Sequence, residues 1–157
     1  MKIKLILIGK TDSKYLNEGN AEYQKRLKHY IPTDIIVIPD IKNSKNLSEL
    51  EQKKKEGDLI LNQIKEGDLV ILLDENGKQF SSVEFSRFIE KQTISGLKNL
   101  VFVVGGPYGF SDEVYKKASS NISLSRMTFS HQMVRLIFLE QLYRAMTIIK
   151  GEPYHHN

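Results

Sequence analysis

Two segments in the last third of the chain bring polar groups and bare backbone to places where a ligand could be handled. Val103-Val104-Gly105-Gly106-Pro107-Tyr108-Gly109-Phe110 sets three glycines directly after an apolar run. Lacking a Cβ, such a loop lets a ligand approach the backbone, so at the carboxyl end of a strand it reads as a cofactor rim; it reads equally as a tight strand-to-helix turn. Further on, Ile122-Ser123-Leu124-Ser125-Arg126-Met127-Thr128-Phe129-Ser130-His131 leads from a strand through a polar turn into a long helix. Ligands of open α/β sheets collect outside the carboxyl ends of the strands, which puts this turn and the glycine loop around one crevice. His131 falls at the helix start, where the helix dipole disfavours a protonated imidazole, and the same placement suits a surface or capping residue.

Other chemistries are disfavoured. Gly9-Lys10-Thr11-Asp12 follows the first strand but is neither a dinucleotide fingerprint nor a P-loop, which argues against a standard NAD or ATP site. The chain has no cysteine, so disulfides, thiolate metal sites and a thiol nucleophile are ruled out, and a cytoplasmic location is expected. No zinc spacing occurs. Adjacent histidines in a chain tail, such as His155-His156, more often bind nothing, so no metal is expected.

The elements that must position these segments follow from hydrophobic period. Strands are expected at Ile3–Ile8, Ile35–Ile38, Leu69–Leu73, Leu100–Val104 and Ile122–Leu124, several of them continuously apolar and so covered on both faces. Helices are expected near 13–30, 47–64, 82–94, 111–118 and 131–150, and this alternation predicts an α/β fold with a parallel-type sheet. Ser111-Asp112-Glu113 signals a helix start, Ser82 is placed to cap the helix after an Asn76-Gly77 turn, and Gly151 with Pro153 stops the last helix. Lys53-Lys54-Lys55, flanked by glutamates, is most simply a solvated helix face.

A length of 157 residues suits one domain, taken here as 1–157. The net charge of +4 suits a polyanionic partner, although many basic proteins of this size bind no nucleic acid. The opening MKIKLILIGK has too short an apolar run for a signal-peptide core, and no stretch reaches the ~20 residues of a membrane span, so a soluble protein with no membrane partner is expected. The last helix is apolar around most of its circumference, from Met133 through Phe138 and Leu142 to Ile149. Such a helix needs cover on more than one side; the sheet gives one, and a second subunit in a homodimer is the expected source of the other, in preference to a central place inside one larger core.

Taken together, Leu72-Leu73-Asp74 before a Gly-Lys turn, Val104-Gly105-Gly106-Pro107-x-Gly109, Leu124-Ser125-x-Met127-Thr128-Phe129-x-His131-x-x-x-Arg135, Glu140-Gln141-x-Tyr143-Arg144-Ala145 and Pro153-Tyr154-His155 closely resemble the RlmH family. These are SPOUT-class methyltransferases of the ribosomal large subunit. The resemblance runs over essentially the whole chain. It implies one α/β domain with a C-terminal trefoil knot, two subunits forming each active site, and methyl transfer from S-adenosylmethionine to N3 of a pseudouridine in large-subunit ribosomal RNA. Matching positions imply that Leu73, Gly105 and the run Leu124, Ser125, Arg126, Met127, Thr128 and Phe129 line the cofactor pocket. Where family members commonly carry proline before the motif histidine, this chain has Ser130, which can cap the helix instead.

Methyl transfer from a sulfonium has an activated leaving group, so the enzyme must align the reactants and manage the N3 proton. Cationic or hydrogen-bonding groups that stabilise charge on the base's carbonyl oxygens would serve, and His131, Arg144, Tyr154 and His155 are the candidates. A salt bridge to Glu140 one turn away would account equally for Arg144. The competing reading is a noncatalytic ribosome-associated RNA-binding protein. A flavodoxin-like module would use Asp74 at a strand end but leaves the C-terminal motifs unexplained.

Overall fold

The structure, a computed structural model, describes residues 1–156. In chain order the elements are β1 (Lys2–Ile8), α1 (Lys14–Leu27), β2 (Thr33–Ile38), a 3-10 turn (Ser44–Asn46), α2 (Glu49–Leu61), β3 (Leu69–Gln79), α3 (Ser82–Ile94), β4 (Asn99–Val104), α4 (Asp112–Lys117), β5 (Ser120–Ser123) and α5 (Met133–Lys150). The strands form one parallel sheet in the order β2-β1-β4-β3-β5, as the alternation predicts.

Side chains alternate between the two faces of each strand, and both faces are covered. Ile3, Leu5 and Leu7 of β1 pack with α1, α3 and α5, whereas Ile6 and Ile8 pack with α2 and α4. This is why residues 5–8 of β1 and 100–104 of β4 are continuously apolar. Connections that step toward β2 use the first layer and those that step toward β5 use the second, as a single crossover handedness requires.

Three local expectations are corrected. β3 does not stop at Leu73: it continues to Gln79, with a register shift in which Ile122 faces both Leu73 and Lys78. Asn76-Gly77 therefore sits in a bulge of the strand rather than in a turn that ends it, and Gly77 is needed there because a Cβ would lie 2.6 Å from the Ile122 backbone. β5 begins two residues early at Ser120, where Ser and Asn carry no strand signal. The cap of α3 is Ser81, in a reciprocal box with Glu84, while Ser82 Oγ donates to Gln141 Oε1 at 2.7 Å.

α5 follows β5, yet it lies in the middle of its layer between α1 and α3. Its apolar circumference is thus met largely within one chain. Phe138 is fully buried with its ring 4.7 Å from Phe102, so a charge there would wreck the core of a single subunit, and only half-exposed Ile137 remains a fair probe of an interface.

Arg135 fastens the start of α5 to the end of β1. It is fully buried and donates to Ile8 O (2.5 Å), Gly9 O (2.9 Å), Thr11 Oγ1 (3.0 Å) and His131 O (3.0 Å). Burial pushes its pKa down, opposed by the nearby charges of Asp40 and Asp12. Arg135→Met should lower unfolding free energy by about 1–3 kcal/mol in urea, because buried carbonyls lose their donors. A midpoint equal to wild type would show that the guanidinium merely offsets its own desolvation.

Candidate functional site

Because α5 starts against β1 while β5 lies at the sheet edge, residues 124–132 must arch back past the carboxyl ends of β3 and β4. Gln132 ties the far end of the arch down, donating to Lys10 O (2.9 Å) and accepting from Asp12 N (3.0 Å). Ser130 caps the incoming helix as expected, its Oγ accepting from Met133 N at 3.1 Å. Within the arch, Ser123 Oγ donates to Ser125 O (2.7 Å) and Ser125 Oγ accepts from Met127 N (2.9 Å), which fixes the turn.

Under the arch is a cavity of about 590 Å³. Leu73 and the β3 bulge form one wall, Val104 to Phe110 another, and Ile122 to His131 the third. Of the residues expected at a cofactor, Leu73, Gly105, Leu124, Ser125, Met127, Thr128 and Phe129 line it; Arg126 is exposed and does not. His131 is at the rim. The volume lies within the ~300–1,000 Å³ usual for small-molecule sites.

A side chain at Gly105 would crowd its own loop rather than enter the cavity first. A Cβ there would meet Phe110 Cε1 at 3.1 Å and Gly109 O at 3.2 Å, so it would press on the loop itself. Gly106 is braced from below by Glu56, whose carboxyl oxygen would be 2.4 Å from an added Cβ. Glu56 is buried, with Oε1 accepting from Gln52 at 3.0 Å and Oε2 unpartnered, and desolvation raises its pKa. It was hidden behind the adjacent lysines, though it precedes buried Ile60 by one helical turn and so shares the inward stripe.

Two acidic residues of the β3 bulge complete the cavity wall. Asp74 accepts hydrogen bonds from the Tyr115 hydroxyl and from Asn76 N, and Glu75 Oε2 accepts from Thr128 Oγ1 at 3.1 Å. Burial, followed by the bond to Asp74, pushes the Tyr115 hydroxyl pKa up, so it stays a donor.

Arg144, Tyr154 and His155 are gathered elsewhere. Arg144 donates to Glu140 Oε1 from Nε (3.0 Å) and Nη2 (2.5 Å), its guanidinium lies 4.7 Å from the Tyr154 ring, and Nη1 is 3.5 Å from His155 Nδ1. The Glu140 hydrogen bond raises the Arg144 pKa, and burial raises that of Tyr154, so cation and phenol hold their protons. The tail is tied down rather than frayed: Tyr154 packs on Tyr143, its hydroxyl is 3.3 Å from that of Tyr23, and Glu152 accepts from Tyr30. Asn157, the end of that tail, lies outside the described residues. Arg144 follows His131 by thirteen positions, a rise of roughly 20 Å along a helix, and Arg144, Tyr154 and His155 are not among the residues lining the cavity of the same chain.

Comparison with known proteins matches residues 1–155 to the family described as "Predicted SPOUT methyltransferase". Similar chains include proteins of Parabacteroides distasonis (64% identical), Christiangramia forsetii (63%) and Flavobacterium psychrophilum (65%), each aligned over 156 residues that cover 99% of both chains. All three carry the name "Ribosomal RNA large subunit methyltransferase H".

Proposed function

Given that the chain belongs to the SPOUT methyltransferase family, we propose that it methylates large-subunit ribosomal RNA with S-adenosylmethionine, at N3 of a pseudouridine. The observation that carries this reading is the cavity under the 124–132 arch, a glycine-rimmed chamber at the carboxyl edge of a parallel sheet. Its residues fit the cofactor: a glycine loop at the rim, apolar cover from Leu73, Leu124 and Phe129, and Asp74 and Glu75 for a cationic ligand. Family membership also implies the trefoil knot.

The cofactor supplies a methyl group on a positively charged sulfur. The protein's own residues must orient the base and accommodate the charge that builds on its carbonyl oxygens as the N3 proton leaves. Arg144 and Tyr154, both held protonated, suit that role, with Arg144 Nη1 as the edge not engaged by Glu140. His131 at the rim and His155 beside Arg144 are the remaining candidates for proton handling.

The separation of the tail cluster from the cavity of its own chain is bridged if the tail of one subunit serves the cavity of another, and this supports a homodimer with shared sites. Met133, Ile137 and Ile148, half-exposed on the outer side of α5, offer apolar surface for the contact. A ribosomal substrate implies a cytoplasmic protein. Among the described residues no helix is long and apolar enough to cross a membrane.

The test is incubation with methyl-labelled cofactor and ribosomal subunits or ribosomes lacking the modification, then mapping of the labelled nucleotide. Label on a single large-subunit pseudouridine is expected. Cofactor-independent ribosome binding without label would favour the noncatalytic RNA-binding reading.

A further inference from the structure

The charge lining the cavity runs against that of the chain. The protein carries a net charge of +4, yet among the described residues those that one chain sets around its own cavity include Asp74 and Glu75 and neither lysine nor arginine. Both carboxylates come from the β3 bulge and are held in place, Asp74 by Tyr115 and the Asn76 backbone, Glu75 by Thr128 of the arch. Asp74 is half-buried where the bulge of β3 begins, directly after the core residues of that strand, so its charge is partly shielded from solvent, whereas Glu75 is exposed.

We infer that Asp74 and Glu75 select the cofactor by its charge, favouring cationic S-adenosylmethionine over the neutral product S-adenosylhomocysteine. The inference rests on the reading of the cavity as the cofactor site. Methyl transfer forms an N3–C bond and breaks an S–C bond; the bonding pair stays on sulfur, and the N3 proton passes to a base or to water. The positive charge on sulfur is thereby lost inside an acidic chamber. Before the step the carboxylates attract the bound group, and after it that attraction is gone, so the site weakens its own hold on the product.

Adenine, ribose and the amino-acid end are common to both molecules, and only the charge and one methyl group differ. Calorimetry of both ligands on wild type, Asp74→Asn/Glu75→Gln and Tyr115→Phe therefore isolates the effect. Wild type should bind S-adenosylmethionine more tightly, with the preference shrinking as salt rises. The double variant should bind it about tenfold more weakly and the product less than twofold more weakly, the size expected for one unit charge near carboxylates at intermediate dielectric. Tyr115→Phe keeps both carboxylates and should keep the ratio, which separates charge from damage to the wall. Equal weakening of both ligands by the double variant would overturn the inference, assigning the carboxylates to shared groups such as the ribose diol. If wild type binds neither ligand, the cofactor reading fails first.

Discussion

Arg144→Ala is expected to lower turnover on ribosomes by roughly 10²–10³-fold while leaving S-adenosylmethionine affinity within about twofold, the loss typical of removing one donor aimed at developing charge. The split follows from geometry: Arg144 lies near the far end of α5 and lines no part of the cavity under the arch. Truncation after Gly151 should give a similar loss, but it also removes the packing of Tyr154 on Tyr143 and the contact of Glu152 with Tyr30, so it carries a stability cost. Tyr154→Phe and His155→Ala avoid that cost, since the first keeps the ring against Tyr143. Single-turnover rates and calorimetry on the same preparations check the split. Turnover equal to wild type in Arg144→Ala would reduce Arg144 to the partner of Glu140 that the 2.5 Å salt bridge records.

Gly105→Val should abolish detectable S-adenosylmethionine binding by calorimetry and yet leave a cooperatively folded protein. The added Cβ would start 3.1 Å from Phe110 Cε1 and 3.2 Å from Gly109 O, and the two methyl groups beyond it make the crowding worse. Phe110 is buried in the layer facing α2 and α4, so the loop must yield rather than the ring. Overpacking of this kind costs about 1–3 kcal/mol, which should appear as a lower urea midpoint. Wild-type affinity in the variant would remove the glycine loop from the site.

The legible parts of this molecule were those governed by local pattern. β1 and β4 are covered on both faces along residues 5–8 and 100–104, so these stretches are continuously apolar, and Ser111 and Gly151 punctuate helices by hydrogen bonding and backbone conformation alone. What escaped depends on contacts between distant segments. Asn76-Gly77 has the composition of a turn, and only the approach of the Ile122 backbone makes it a bulge. The insertion of α5 between α1 and α3 leaves no trace in its own residues, so its apolar circumference pointed to a partner for surface that the chain largely covers itself. In the site, the shared crevice of the glycine loop and the 122–131 segment follows from both being at strand ends. The separation of His131 from Arg144 is implicit in the length of helix between them, but the return of Tyr154 and His155 onto Arg144 is not, because it depends on contacts of the tail with Tyr143 and Arg144. Glu56 escaped because neighbouring lysines dominate its segment, although its spacing from Ile60 marks the buried side.

That separation gives the most direct test of a site built from two subunits. Gly105→Val has a damaged cavity and an intact tail, and Arg144→Ala has the reverse, so each alone should be nearly inactive. Equal amounts are mixed, exchanged through mild denaturation and refolding, and assayed for methyl transfer to ribosomes. Random pairing makes half of the dimers mixed, each with one intact site, so activity should return to about a quarter of wild type. A mixture no more active than its parents, in which mixed dimers are shown to form, would contradict a shared site and return cavity and tail to separate roles.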